Sequence, residues 1–283
     1  IPQPNKYFIG YLPYMNFNYY DGLKLGGGFY HLSHAIPKNT YLAYGSYALK
    51  SDEWNGTLMY TTGIYGDKLT YQLSSGLSHD VLKNQIYGEV SVNLIKAKDR
   101  DNYLSLNINY LDVQKTDFLE KRYWTPGQFY HMTLKNEYIS EEGEVNVENT
   151  VGIKYIYNAT ASRSHWKITG EMQPKHTFWN KLKVENRFYF SGYLGEYRLP
   201  QQYRHYACGS LDPEFRQIYI YDRSGDTRFS PFRNYFIPGG VNLKGYQKMT
   251  DDFGNIGGSS IALGYNLKVK YKFGFFFFDA GEV

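Results

Sequence analysis

Helix-forming stretches are what this sequence most conspicuously lacks. Alanine is sparse, and few segments place helix formers at helical spacing. No apolar run of about 18 residues occurs, so no transmembrane helix is encoded. Cys208 is the single cysteine, which excludes an internal disulfide framework and reads as a bystander in a loop. The formal net charge of +4 is spread along the chain without a Lys/Arg block, so nothing asks for nucleic acid. Catalytic signatures are also missing. There is no His-Glu-x-x-His helix and no Gly-x-Ser-x-Gly elbow. The histidines (His31, His34, His79, His131, His165, His176 and His205) are scattered. His31 and His34 are three apart on a strand and point to opposite faces, so they cannot chelate one ion. The acidic stretches Leu211-Asp212-Pro213-Glu214 and Asp222-Arg223-Ser224-Gly225-Asp226 read as solvated loops, with a calcium site as the alternative. No enzyme chemistry, metal or cofactor is expected within this segment.

Aromatic residues and glycine fill the gap. Among 283 residues there are 31 tyrosines and 28 glycines, and aromatics make 19% of the chain. That composition argues for an all-β protein. The predicted strands begin with Tyr11 to Tyr20 and Leu23 to His34, flanking the hairpin signal Asp21-Gly22. They run on in series to Leu182 to Leu194. After a long irregular segment, residues 195–257, they resume at Ile261 to Tyr271 and Phe273 to Val283. Val145, Val147, Val151, Ile153, Tyr155 and Tyr157 share one face, and Asn146, Glu148, Thr150, Lys154 and Asn158 share the other. Leu104, Leu106, Ile108 and Tyr110 alternate in the same way with Ser105, Asn107 and Asn109. Period two with a wholly polar second face means that one face meets apolar matter and the other meets water.

About thirteen strands are expected, many of about ten residues, against about five or six in typical soluble sheets. Transmembrane strands need roughly nine to eleven. Tyrosines near strand ends (Tyr19, Tyr20, Tyr65, Tyr103 and Tyr157) fit an interfacial aromatic girdle. A mean hydropathy of −0.55 is compatible with a barrel whose strands are apolar on alternate residues only. A soluble sandwich, propeller or lipid-carrying sheet is the competing architecture. Strand length and the polar second face favour a transmembrane antiparallel β-barrel over residues 7–283, with residues 1–6 as a linker.

The irregular segment contains Tyr235-Phe236-Ile237-Pro238-Gly239-Gly240-Val241-Asn242-Leu243-Lys244-Gly245-Tyr246-Gln247. Its glycines free the backbone, and a tight turn at Gly245 would present the Lys244 charge and the Tyr246 ring together. A plain surface turn is the simpler alternative.

These residues resemble the glycine-pair, apolar, Arg-Gly-aromatic loop signature of the BamA, TamA and two-partner-secretion superfamily of outer-membrane barrels, the bacterial surface antigen family. Ser230-Pro231-Phe232-Arg233-Asn234-Tyr235-Phe236 is similar to that family's approach to the loop. Phe277-Phe278-Asp279-Ala280-Gly281-Glu282-Val283 is similar to its Phe-x-Asp-x-Gly-x-Val strand. The resemblance covers nearly the whole chain in strand order but only about thirty residues in motif.

It implies a barrel of about sixteen strands in a Gram-negative outer membrane, so about three more strands are expected, after Val283 or from another chain, and Ile1 is expected to follow processing or an upstream domain. It implies that Gly239, Gly240, Leu243, Lys244, Gly245 and Tyr246 fold into the lumen and that Lys244 pairs with Asp279, near Gly281. Lysine where the family has arginine gives a less directional bridge. Lys268 stands where the family often carries an acid, and would repel Lys244 unless it faces another carboxylate. The first strand, with Tyr11, Asn16 and Tyr20, would form a lateral seam. Three functions follow: a protein insertase or translocase, an anchoring or export barrel for an N-terminal enzyme, or a substrate-specific channel. The implied partners are the lipid bilayer and lipopolysaccharide, client or passenger proteins, and accessory outer-membrane lipoproteins.

Overall fold

Alternating β-branched and aromatic residues give long strands, which make up most of the described residues. The computed structural model describes residues 7–18, 22–33, 39–65, 70–79, 83–97, 100–114, 125–142, 144–178, 181–195, 199–200, 203–206, 209–210, 260–272 and 274–282. The strands are β1 (Tyr7–Asn18), β2 (Gly22–Ser33), β3 (Asn39–Ala48), β4 (Glu53–Tyr65), β5 (Thr70–His79), β6 (Lys83–Ala97), β7 (Arg100–Val113), β8 (Gly127–Glu142), β9 (Val145–Asn158), β10 (Arg163–Phe178), β11 (Leu182–Gly195), the short pair β12 (His205–Tyr206) and β13 (Gly209–Ser210), then β14 (Ile261–Tyr271) and β15 (Gly274–Glu282). All but β12 and β13 form one antiparallel sheet of 13 strands, in sequence order from β1 to β15. Among the described residues, β1 and β15 end the sheet and are not paired with each other. No helix among them is long and apolar enough to cross a membrane, which says nothing of crossing by strands.

Turn chemistry sets the boundaries. Gly22 takes φ +68° where the Asp21-Gly22 signal predicts a hairpin, and β1 pairs with β2 from Asn18↔Gly22 onward. Asp52, Ser162 and Lys272 also sit at positive φ, in the tight connections after β3, β9 and β14. Pro13, which has no N–H to give a ladder, lies on the end strand β1. Connection lengths are asymmetric. At one end every connection is short, the longest being residues 34–38. Both long ones, residues 114–126 and 196–260, leave from the other end.

The two faces differ as the alternation predicts. Ile108, Val151 and Phe190 are exposed on the apolar face, with Ile9 and Phe29 among the most open at 72% and 61%. Aromatic ladders cross strands there: Tyr110 to Tyr130 at 5.1 Å and Tyr130 to Tyr157 at 6.4 Å between centroids, with Tyr155 on Trp166 at 4.9 Å. Such cross-strand pairs are the unit of sheet stabilisation. Asn107, Asn109, Gln85 and Asn93 lie buried on the polar face. Among the described residues, the principal buried apolar cluster is also on this face, at the long-connection end. It unites Leu111, Val113, Phe129, Ile156 and Tyr193 of the sheet with Leu199 and Tyr203 from the segment after β11. Burial of each large side chain there contributes about 1.5–3 kcal/mol.

Candidate functional site

The polar face carries a chain of charge-assisted hydrogen bonds across four strands. Strand register sets Arg187 of β11 opposite Asn266 of β14, and Asn266 opposite Asp279 of β15. Glu171 of β10 lies on the same face, paired with Tyr189 beside Arg187. The guanidinium of Arg187 donates to Glu171 from Nε at 2.9 Å and from Nη2 at 2.8 Å. Its Nη1 donates to Asn266 Oδ1 at 2.8 Å, and Asn266 Nδ2 donates to Asp279 Oδ1 at 2.9 Å. Gln173 Nε2 also donates to Glu171. The Tyr189 ring stacks at 5.1 Å from the guanidinium carbon. The planar fork of arginine suits this bidentate grip, which a lysine could not reproduce.

A second cluster lies one step nearer the short-connection end. Glu185 accepts from Lys270 at 3.0 Å and pairs with Lys268 at 3.7 Å. Glu185 is therefore the carboxylate that Lys268 needs if a further cation is to approach. Lys175 reaches Glu148 at 3.5 Å, and Lys135 reaches Glu137 at 2.7 Å. These charges are thus paired with neighbours on the same strand, as in Lys135–Glu137, or on the adjacent one.

The segment that leaves β11 folds back over the polar face. Tyr203 packs edge-on against Phe129 at 5.4 Å, and its hydroxyl is 2.5 Å from His131 Nε2. Arg204 Nε holds the Leu199 carbonyl at 3.2 Å, and Tyr203 N donates to Pro200 O at 3.0 Å, which rounds the turn. His205 follows, fully buried against Tyr189 and Tyr193. Burial, with the Lys167 ammonium nearby, pushes its pKa down to about 3, so the ring is neutral.

No protein-family model matches the sequence, and no curated protein does. The reading therefore rests on the residues themselves. Asp279 and Gly281 lie on β15 on the polar face, Gly281 opposite Gly264. By the same register Phe275 and Phe277 share that face, while Phe276 and Phe278 share the apolar one. Tyr11 is exposed on the apolar face and tilts against Phe29 at 5.6 Å. Asn16 stands opposite Lys24 on β1, the strand expected at a seam. Tyr20, Cys208 and the motif residues Gly239, Gly240, Leu243, Lys244, Gly245 and Tyr246 lie outside the described residues, as do the acidic stretches around Asp212 and Asp222. Among the described residues no group of His, Cys, Asp and Glu could hold a metal ion. Sequence reasoning missed Glu171, Arg187 and Asn266. Their parity on alternating strands was the available signal, but alternation gives a face and not a height.

Proposed function

We propose that this chain is the barrel domain of an outer-membrane protein of the BamA, TamA and two-partner-secretion superfamily, and that it serves insertion or export of proteins across a Gram-negative outer membrane. The observation that carries the reading is the polarity of the two faces. Rows of exposed aliphatic and aromatic side chains cover one side of a 13-stranded antiparallel sheet, while paired charges and amides cover the other. In water the first face would be an aggregation surface. Against hydrocarbon it is at home, and the polar face lines an aqueous interior. Short connections at one end and long ones at the other match the periplasmic and extracellular ends of such barrels.

Two further features favour transport over a passive pore. The segment bearing Leu199 and Tyr203 covers part of the polar face, which counts against a wide channel. Asp279 lies on the polar face with one oxygen held by Asn266. We infer that this carboxylate receives the Lys244 ammonium, the pairing that the resemblance implies. The mechanism would be strand addition at the edge of β1, the seam strand, where backbone groups template a client strand without any bond being broken. The lipid bilayer, lipopolysaccharide and client strands are its partners.

The test is reconstitution of the protein into phospholipid vesicles. The reading expects heat-modifiable mobility, protease protection of the strands and acceleration of client-barrel insertion. Lys244→Glu should depress that acceleration, and the swap Lys244→Asp with Asp279→Lys should restore part of it. A monodisperse protein that stays soluble without detergent or lipid would sink the proposal.

A further inference from the structure

The polar face turns basic where β10, β11, β14 and β15 approach the short-connection end. Two register rows hold the residues. In one, Lys175 of β10, Glu185 of β11, Lys268 of β14 and Phe277 of β15 stand side by side. In the next row toward the turns, Thr177, Lys183, Lys270 and Phe275 follow in the same strand order. Lys181 and Lys272 stand beyond, in the connections into β11 and out of β14.

Carboxylates do not balance these lysines. Glu185 serves Lys270 at 3.0 Å and Lys268 at 3.7 Å at once. Lys175 takes Glu148 at 3.5 Å. Among the described residues, neither Lys181 nor Lys183 forms an ion pair. Lys183 is instead set directly opposite Lys270. Like charges in directly opposed positions destabilise a sheet. The next acid along the row is Glu144, whose carbonyl accepts Thr177 N at 2.9 Å. It lies two strands from Lys183, about 9.6 Å at the usual strand spacing.

An apolar surface adjoins this excess of cations. Register puts Phe275 on the polar face beside Lys270, and it is 68% exposed. Phe277 stacks beside it at 6.4 Å between centroids. Phe276 and Phe278 take the apolar side, so Phe275 is a ring that meets water. Cations without carboxylates beside an exposed ring fit a ligand whose carboxylates adjoin an apolar side chain. The groups project from the face opposite the hydrocarbon side, which favours a polypeptide over a lipid. Spacing agrees. Phe275 is one strand from Lys270 and two from Lys183, about 4.8 and 9.6 Å. Same-face residues of an extended peptide are about 6.8 Å apart, and flexible lysine stems close the difference.

We propose that the corner formed by Lys183, Lys270 and Phe275 docks an acidic stretch of polypeptide at the short-connection mouth of the lumen. Alternate carboxylates meet the lysines, and an apolar side chain on the same face meets Phe275. The proposal rests on the reading of the polar face as the lining of an aqueous interior.

Peptide binding tests it. The full chain is placed in phosphatidylcholine nanodiscs and titrated against a dansyl-labelled peptide of alternating glutamate and serine ending in phenylalanine. Fluorescence anisotropy is the readout, and a copy with lysine for glutamate is the control. The acidic peptide should bind, more weakly as salt is added, and the control should not. Lys183→Glu with Lys270→Glu should weaken binding about tenfold or more, and Phe275→Ser about threefold. Lys50→Glu, at the other end of the sheet, should leave it unchanged. Lys183 is exposed and outside any ion pair, so Lys183→Glu alone, expected to weaken binding about fivefold, decides if the double variant does not fold. Equal binding of the two peptides, or binding indifferent to Lys183→Glu, overturns the proposal. So does peptide binding that phosphatidylglycerol in the disc abolishes, since the lysines would then serve headgroups. A protein that accelerates client insertion yet ignores the peptide keeps the insertion function and loses this dock. One that stays soluble without detergent or lipid loses both.

Discussion

Arg187 grips Glu171 with two N–H groups along one edge of its guanidinium, at 2.9 and 2.8 Å, and passes a third hydrogen bond at 2.8 Å to Asn266. Both partners of the ion pair are mostly shielded, at 16% and 23% side-chain exposure. One side chain thus ties β10, β11 and β14 together, and through Asn266 it reaches Asp279 on β15.

Removing that fork leaves a shielded carboxylate without its main partner. Arg187→Met is expected to lower stability by roughly 2 kcal/mol, and Arg187→Lys by less, because hydrogen bonds to charged groups are the stronger ones. Urea unfolding of vesicle-embedded protein, followed by loss of heat-modifiable mobility, measures the difference. Equal stability of Arg187→Met and the unaltered protein would show that the relay is ornamental.

The returning segment is held by a ring and a hydroxyl. Tyr203→Phe keeps the ring against Phe129 and gives up the contact with His131, at an expected cost of about 1 kcal/mol. Tyr203→Ala gives up both and should cost about 3 kcal/mol. Single-channel conductance is the check. It should rise in Tyr203→Ala as the segment leaves the polar face, and stay low in Tyr203→Phe.

Docking of the same segment should depend on pH through His205. Its pKa in the folded chain is about 3, below the ordinary 6.5, so the folded form resists protonation. Between those two values the unfolded segment binds more protons than the docked one, and stability falls as pH falls. Above about pH 6.5 the contribution is complete. Protease nicking around residues 199–206 should therefore increase on going from pH 7 to pH 4. His205→Phe should flatten that profile. An unchanged profile in His205→Phe would assign the pH dependence elsewhere.

Glycines of this sheet should divide into two kinds. Gly26→Ala forces a methyl onto the β3 backbone and is expected to destabilise by about 1–3 kcal/mol. Gly170→Ala meets nothing within 4 Å and should lie within about 0.5 kcal/mol of the unaltered protein. Parallel urea titrations of the two variants test the split.

The strands themselves were legible in the chain. Val145 to Tyr157 alternates so regularly that both the element and its two faces follow from period two, and β9 spans Val145–Asn158. Asp21-Gly22 marks a turn because glycine takes the positive φ that Gly22 shows. Face and turn are local properties, fixed by residues next to each other in sequence. That Lys268 needs a carboxylate was also legible; that Glu185 supplies it was not.

What only the tertiary structure decided is height. Glu171, Arg187, Asn266 and Asp279 are far apart along the chain, and their meeting depends on how each strand slides against the next. The same sliding lines up Gly27, Gly45 and Gly56, and brings Tyr203 to His131 across the polar face. Alternation repeats every two residues, so it is blind to a slip of two. Register is set by connection length and by the sum of cross-strand contacts, and that sum exists only once the sheet is assembled.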